Sequence, residues 1–173
     1  MESSPASANV ARLFLSIDEA IEEGAVTKAL RLILTNFGKF PDTAALRERV
    51  AQALAKRGRK REAVAILEIV ARHYANGGHP TRCLAAIKQM NALKPDATML
   101  LDHFSALYSI RSPYLDARVR LGEVEDPNEE IDLSGKEPQV GEQELFELAV
   151  DRAMQKRGMI AQPRALPALP LLS

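Results

Sequence analysis

Between Leu67 and Pro95 the apolar residues recur at the spacing of two helices folded back on each other, and this recurrence constrains the fold more than any other feature of the chain. Leu67, Val70, Ala71 and Tyr74 fall on one face of a first helix, and Cys83, Ile87 and Met90 on one face of a second. Gly78 stands where the chain must turn, and Pro95 where the second helix must end. The small Ala71 and Cys83 sit where the neighbouring backbone has to come close. Such a unit works by burial and close approach, so it points to an interaction module and not to an enzyme.

Composition supports helix throughout the first two thirds. The chain of 173 residues is 46% hydrophobic but only 5% aromatic, with no Trp, so the core is aliphatic and Ala- and Leu-rich. That length suits one domain with extended ends. No apolar run is long enough to cross a membrane, and the opening MESSPASANVAR lacks the basic-then-apolar order of a secretory leader. A cytoplasmic protein without a membrane partner is therefore expected. The single Cys83 cannot form an internal disulfide, in keeping with a reducing compartment.

A formal charge of zero conceals segregation. Residues 1–121 carry roughly six more Lys and Arg than Asp and Glu, whereas 123–147 hold about ten acids against Lys136 alone. Self-repulsion predicts that the acidic segment stays extended and solvated, with a salt-sensitive association with the basic body as the alternative.

Periodicity places helices over 8–22, with Leu13, Ile17, Ala20 and Ile21 inward, and over 26–37, with Ala29, Leu30, Ile33 and Leu34 inward. Gly24 separates them, and Gly38 and Pro41 close the pair. Asp42 or Thr43 can cap a third helix ending at Lys56 to Gly58, followed by helices over 60–76 and 80–93. A helix over 96–110, capped by Asp96, precedes the break at Ser112 and Pro113. Residues 142–157 regain helical periodicity through Leu145, Leu148, Ala149 and Met154, with acids early and Lys156 and Arg157 late. The ending PRALPALPLLS alternates Pro with apolar residues.

The hairpins resemble tetratricopeptide repeats over roughly 100 residues. The match has two registers. Pro41 and Pro95 close hairpins 54 positions apart, which is no multiple of the 34-residue period, and the helix over 60–76 serves both phases. Read in strict phase, it closes a second repeat and 80–93 opens a third. Read by its own best match, it opens the repeat that Pro95 closes. A narrower resemblance rests on ARHYANGGHPTRCLAAIKQMNALKPD (71–96), the following Ser112-Pro113-Tyr114-Leu115, an acidic linker, a short helix and a closing ALPLLS. These look like the amino-terminal region of bacterial proteins in which helical repeats precede a cyclic-nucleotide-binding domain. The resemblance implies that any cyclic nucleotide would be bound by a domain absent from this chain, so no residue here is assigned to it.

His73, His79, Cys83 and His103 invite a metal reading, but no paired-ligand motif completes a set, and structural roles are expected. Cys83 and His73 lack the third group and oxyanion donors that nucleophilic catalysis needs. No catalytic, cofactor-binding or metal residue is assigned. The basic run Lys56, Arg57, Arg59, Lys60 and Arg61 reads as a solvated turn, because no stacking aromatics interleave it, and nucleic acid is disfavoured as a partner. A partner groove is the more plausible functional surface. Under the best-match register it includes Phe14, Asp18, Glu48, Gln52, Glu68 and Arg72. The Lys and Asn pattern that clamps a terminal carboxylate is absent from these sites, which argues against a chaperone-tail receptor.

The sequence therefore predicts an all-α protein. A tetratricopeptide-like right-handed stack of about six antiparallel helices spans 8–116, followed by a flexible acidic linker (117–141), a short amphipathic helix (142–158) and a Pro-rich apolar tail (159–173) leading to a missing domain. The expected function is non-catalytic association with a protein or peptide partner, as the amino-terminal region of a larger regulatory protein. The alternatives are a self-contained adaptor whose 142–157 helix docks in its own or a partner's groove, including a homo-oligomer, and a small nucleic-acid-associated protein using 56–61.

Overall fold

The computed structural model describes residues 5–94 and 127–155. These residues form six α-helices and no strand: α1 (Pro5–Glu22), α2 (Val26–Asn36), α3 (Ala44–Lys56), α4 (Lys60–Asn76), α5 (Pro80–Leu93) and α6 (Glu142–Met154). A 3-10 turn, Phe37–Lys39, extends α2 toward Phe40. The expected helix over 96–110, the terminator Pro95 and the tail over 159–173 lie outside the described residues.

Three of the turns share one construction. Gly24, Gly58 and Gly78 adopt φ of 79°, 77° and 76°, the left-handed region that only glycine enters cheaply. In each, the glycine amide donates to the carbonyl three residues back: Ile21, Ala55 and Ala75. The next residue's carbonyl then accepts from the amide of the fourth residue of the following helix, Ala29, Ala63 or Cys83. The turns between α1 and α2, α3 and α4, and α4 and α5 are thus alike. Helix α4 has the same turn before and after it.

The core is one aliphatic cluster. Leu67, Val70, Ala71, Tyr74, Cys83, Ile87 and Met90, the inward positions expected of the 67–95 hairpin, are all buried in it. Leu13, Ile17, Leu30, Ile33, Leu46 and Leu54 continue it through the first three helices, each essentially inaccessible.

The acidic segment departs from expectation. Over 127–141 it is not a solvated linker but an extended strap running antiparallel to α2. Arg31 Nη2 donates to the Val140 carbonyl (3.3 Å), Thr35 Oγ1 to that of Glu137 (2.5 Å) and Lys39 Nζ to that of Glu130 (2.7 Å). The Asn128 amide donates to the Lys39 carbonyl (2.7 Å). Buried Asn36 clasps the peptide of Asp132 from both sides, donating to its carbonyl (2.7 Å) and accepting from its amide (2.8 Å). Ile131 and Val140 pack on the core, and Gly135 lies against Leu32. Composition misses this attachment because main-chain hydrogen bonds carry most of it, leaving the acidic side chains in water.

Helix α6 then docks on α2, α3 and α4, burying Leu145, Phe146, Ala149 and Ala153. It ends at Met154, three residues before the expected 157, because Gln155 is extended (ψ 137°). Arg47 of α3, fully buried, closes that end by donating to the carbonyls of Ala153 (2.5 Å) and Gln155. Its Nε donates to Thr43 Oγ1 (2.8 Å), and its guanidinium lies 5.2 Å from the Phe37 ring centroid. Burial lowers the pKa of Arg47 to about 10, which leaves it charged at neutral pH to face the negative end of the helix dipole.

Candidate partner-binding face

Helices α1, α3 and α5 share a face. On α1, Phe14 lies under Arg49, whose guanidinium carbon is 4.3 Å from the ring centroid. Arg49 is held there by a bidentate pair with Asp18, at 2.7 and 2.8 Å. A side-chain relay joins α3 to α5: Gln52 Nε2 donates to Gln89 Oε1 (3.2 Å), and Gln89 Nε2 donates to Glu48 Oε1 (2.5 Å).

Two cavities flank this relay. The larger, about 410 Å³, is mainly apolar: Ile21, Ala51, Ala55, Leu67, Ala92 and Leu93 line it together with Gln52, Gln89 and Lys56. The smaller, about 250 Å³, is lined by Phe14, Ala45, Glu48, Arg49, Tyr74, Arg82 and Ala85. Burial raises the pKa of the Tyr74 phenol above its ordinary value, so it stays protonated, and Arg82 lies 5.6 Å from its ring centroid.

The linings follow a period. Ile21, Ala55 and Gln89 are spaced by 34 residues and all line the larger cavity. Phe14, Glu48 and Arg82 have the same spacing and all line the smaller one. Equivalent positions of α1, α3 and α5 thus converge twice on one face.

Of the six groove residues expected from sequence, the fold brings four here: Phe14, Asp18, Glu48 and Gln52. Glu68 and Arg72 line neither cavity; they pair with each other along α4 at 2.7 Å. The best-match register named those two. Strict 34-residue phase points instead to α5, and so to Arg82 and Gln89, which the sequence reading did not select.

Two arginines of the basic run at the α3–α4 turn face α6. Arg57 pairs with Glu142 (2.8 Å) and Arg59 with Glu147 (3.0 Å) and Glu62 (2.5 Å). Both guanidiniums lie 5.7 Å from the centroid of the Phe146 ring. The acidic segment therefore associates with the basic body, the alternative that charge segregation left open.

His73 hydrogen-bonds to Asp42 through Nε2 (3.0 Å). Among the described residues no group of three or more His, Cys, Asp or Glu side chains is placed to hold a metal ion. Nor is any described helix long and apolar enough to cross a membrane. No family model, curated protein or solved structure matches the chain.

Proposed function

We propose that this chain is a non-catalytic protein-association module, built as a tetratricopeptide-like stack in which α1 with α2 and α3 with α4 form two repeats and α5 opens a third. The observation that carries this reading is the pair of triads, Ile21/Ala55/Gln89 and Phe14/Glu48/Arg82, each at the 34-residue period and each lining one cavity of a shared face. The partner is a peptide segment that seats an aliphatic side chain in the larger cavity. The amides of Gln52 and Gln89 are suited to its main chain, since each amide can both donate and accept. On the resemblance of 71–96 to regions preceding cyclic-nucleotide-binding domains, the module would couple that partner to such a domain outside this chain.

The test is selection of a displayed random-peptide library on the full chain. Enriched peptides should share an aliphatic position, and their affinity should fall about tenfold or more in Ala92→Trp, which fills the cavity from an exposed position. Arg72→Ala, on α4, should leave affinity unchanged. Enrichment of no peptide, or of peptides indifferent to Ala92→Trp, overturns the reading.

A further inference from the structure

We propose that residues 5–94 are a receptor for the segment 127–155, and that two copies of this chain can satisfy the receptor for each other by exchanging strap and α6. This concerns a different surface from the groove above and does not rest on that reading.

The docked segment has the character of a ligand. Arg31, Thr35, Asn36 and Lys39, on one side of α2 and the turn after it, bond to the strap's main chain. Arg47 likewise meets main-chain carbonyls at the end of α6. Phe146 is held beside two guanidiniums, and Glu142 and Glu147 answer the same two arginines. The charge balance matches: residues 5–94 hold fifteen Lys and Arg against eight Asp and Glu, and residues 127–155 hold two against eight.

Covalent continuity does not restrict the segment to its own body. Residues 95–126 connect the two parts, and a connection of that length spans as much as about 100 Å when extended, several times the roughly 20 Å length of α6. Every contact made within one chain can be made identically between two. The balance between the two states is then set by the local concentration the connection imposes against the concentration of the protein. The proposed second occupant of this surface, in exchange for the chain's own segment, is thus 127–155 of another copy.

Charge reversal separates the two states. One full-length variant carries Arg57→Glu with Arg59→Glu, and another carries Glu142→Lys with Glu147→Lys. Each alone is mismatched at this contact, within the chain and between identical chains. Mixed, they are matched only across a heterodimer. At low ionic strength each variant alone should elute at the chain's 19.0 kDa, and the equimolar mixture at twice that mass. Cross-links should join 127–155 of one variant to 5–94 of the other. A mixture that stays monomeric, or a dimer whose cross-links do not join those segments, overturns the proposal. If a variant does not fold by circular dichroism, wild-type copies of natural and nitrogen-15 abundance decide it. Concentrated together and then diluted, they should yield mixed-mass dimers in native mass spectrometry, and dimers absent at every concentration overturn the exchange.

Discussion

The Arg47 guanidinium reaches across 106 positions of sequence to the carbonyl of Ala153 at 2.5 Å, so a side chain of α3 caps the carboxy-terminal end of α6. It also meets the Gln155 carbonyl and Thr43 from a fully buried position. One residue therefore couples the docking of α6 to the junction between α2 and α3.

Arg47→Met should destabilise the chain by about 3 kcal/mol, because buried carbonyls lose their donor and the cap disappears. Arg47→Lys should cost about 1–2 kcal/mol, since a point charge cannot reproduce the guanidinium fork. Urea denaturation measures both, and hydrogen exchange over 142–154 should quicken more than over α1. Burial of this cation lowers its folded pKa below the unfolded value, so its contribution to stability changes only as pH rises through about 10 and above. Docking of α6 should be insensitive to its titration between pH 6 and 9.

Asn36 sets the register of the strap. Its amide donates to the Leu32 and Asp132 carbonyls and accepts from the Asp132 amide, all at 2.7–2.8 Å. Asn36→Ala should cost about 2 kcal/mol and expose the strap to limited proteolysis within 127–141. Unchanged cleavage there would contradict the clasp.

Two glycines should respond in opposite directions to alanine. Gly58 has φ of +77° with open space around its Cβ position, so Gly58→Ala carries a purely backbone cost of about 1 kcal/mol. Gly38 also has open space and lies outside the left-handed region, so Gly38→Ala should be neutral or stabilise by about 0.5 kcal/mol. Thermal unfolding of the two variants checks both.

Asp42 links the start of α3 to α4. Partial burial would raise its carboxyl pKa, but the hydrogen bond from His73 and the Ala44 amide (2.9 Å) outweigh it and hold the value below 3.8. A depressed folded pKa gives stability that is present above the unfolded value and lost as pH falls through the folded one. Stability should therefore fall as pH drops below about 4, by on the order of 0.5 kcal/mol, since the Asp42 carboxylate is 41% exposed and screened by solvent. In Asp42→Asn that acid-dependent component should vanish, as read by denaturation at pH 3 against pH 7.

The helices were legible because their signals are local. Gly24, Gly58 and Gly78 mark turns that only glycine enters cheaply, and the apolar period identifies the inward face between them. Of the six residues the period proposed for a groove, Phe14, Asp18, Glu48 and Gln52 lie on the face that α1 shares with α3. Glu68 and Arg72 pair with each other along α4 instead, and because α4 has the same turn on both sides its sequence alone does not say which neighbour it groups with.

The all-α class, the positions of α1 to α6 and the aliphatic core were thus determined by the sequence alone, through helical periodicity and glycine turns. Tertiary structure decided that 127–141 is a strap, that α6 docks on α2, α3 and α4, and that α1, α3 and α5 share a face. The physical reason is the nature of the contacts. Every residue presents the same main-chain donors and acceptors, so pattern and composition do not register the clasp at Asn36 or the cap from Arg47, and those bonds exist only once distant helices have set the partners within reach.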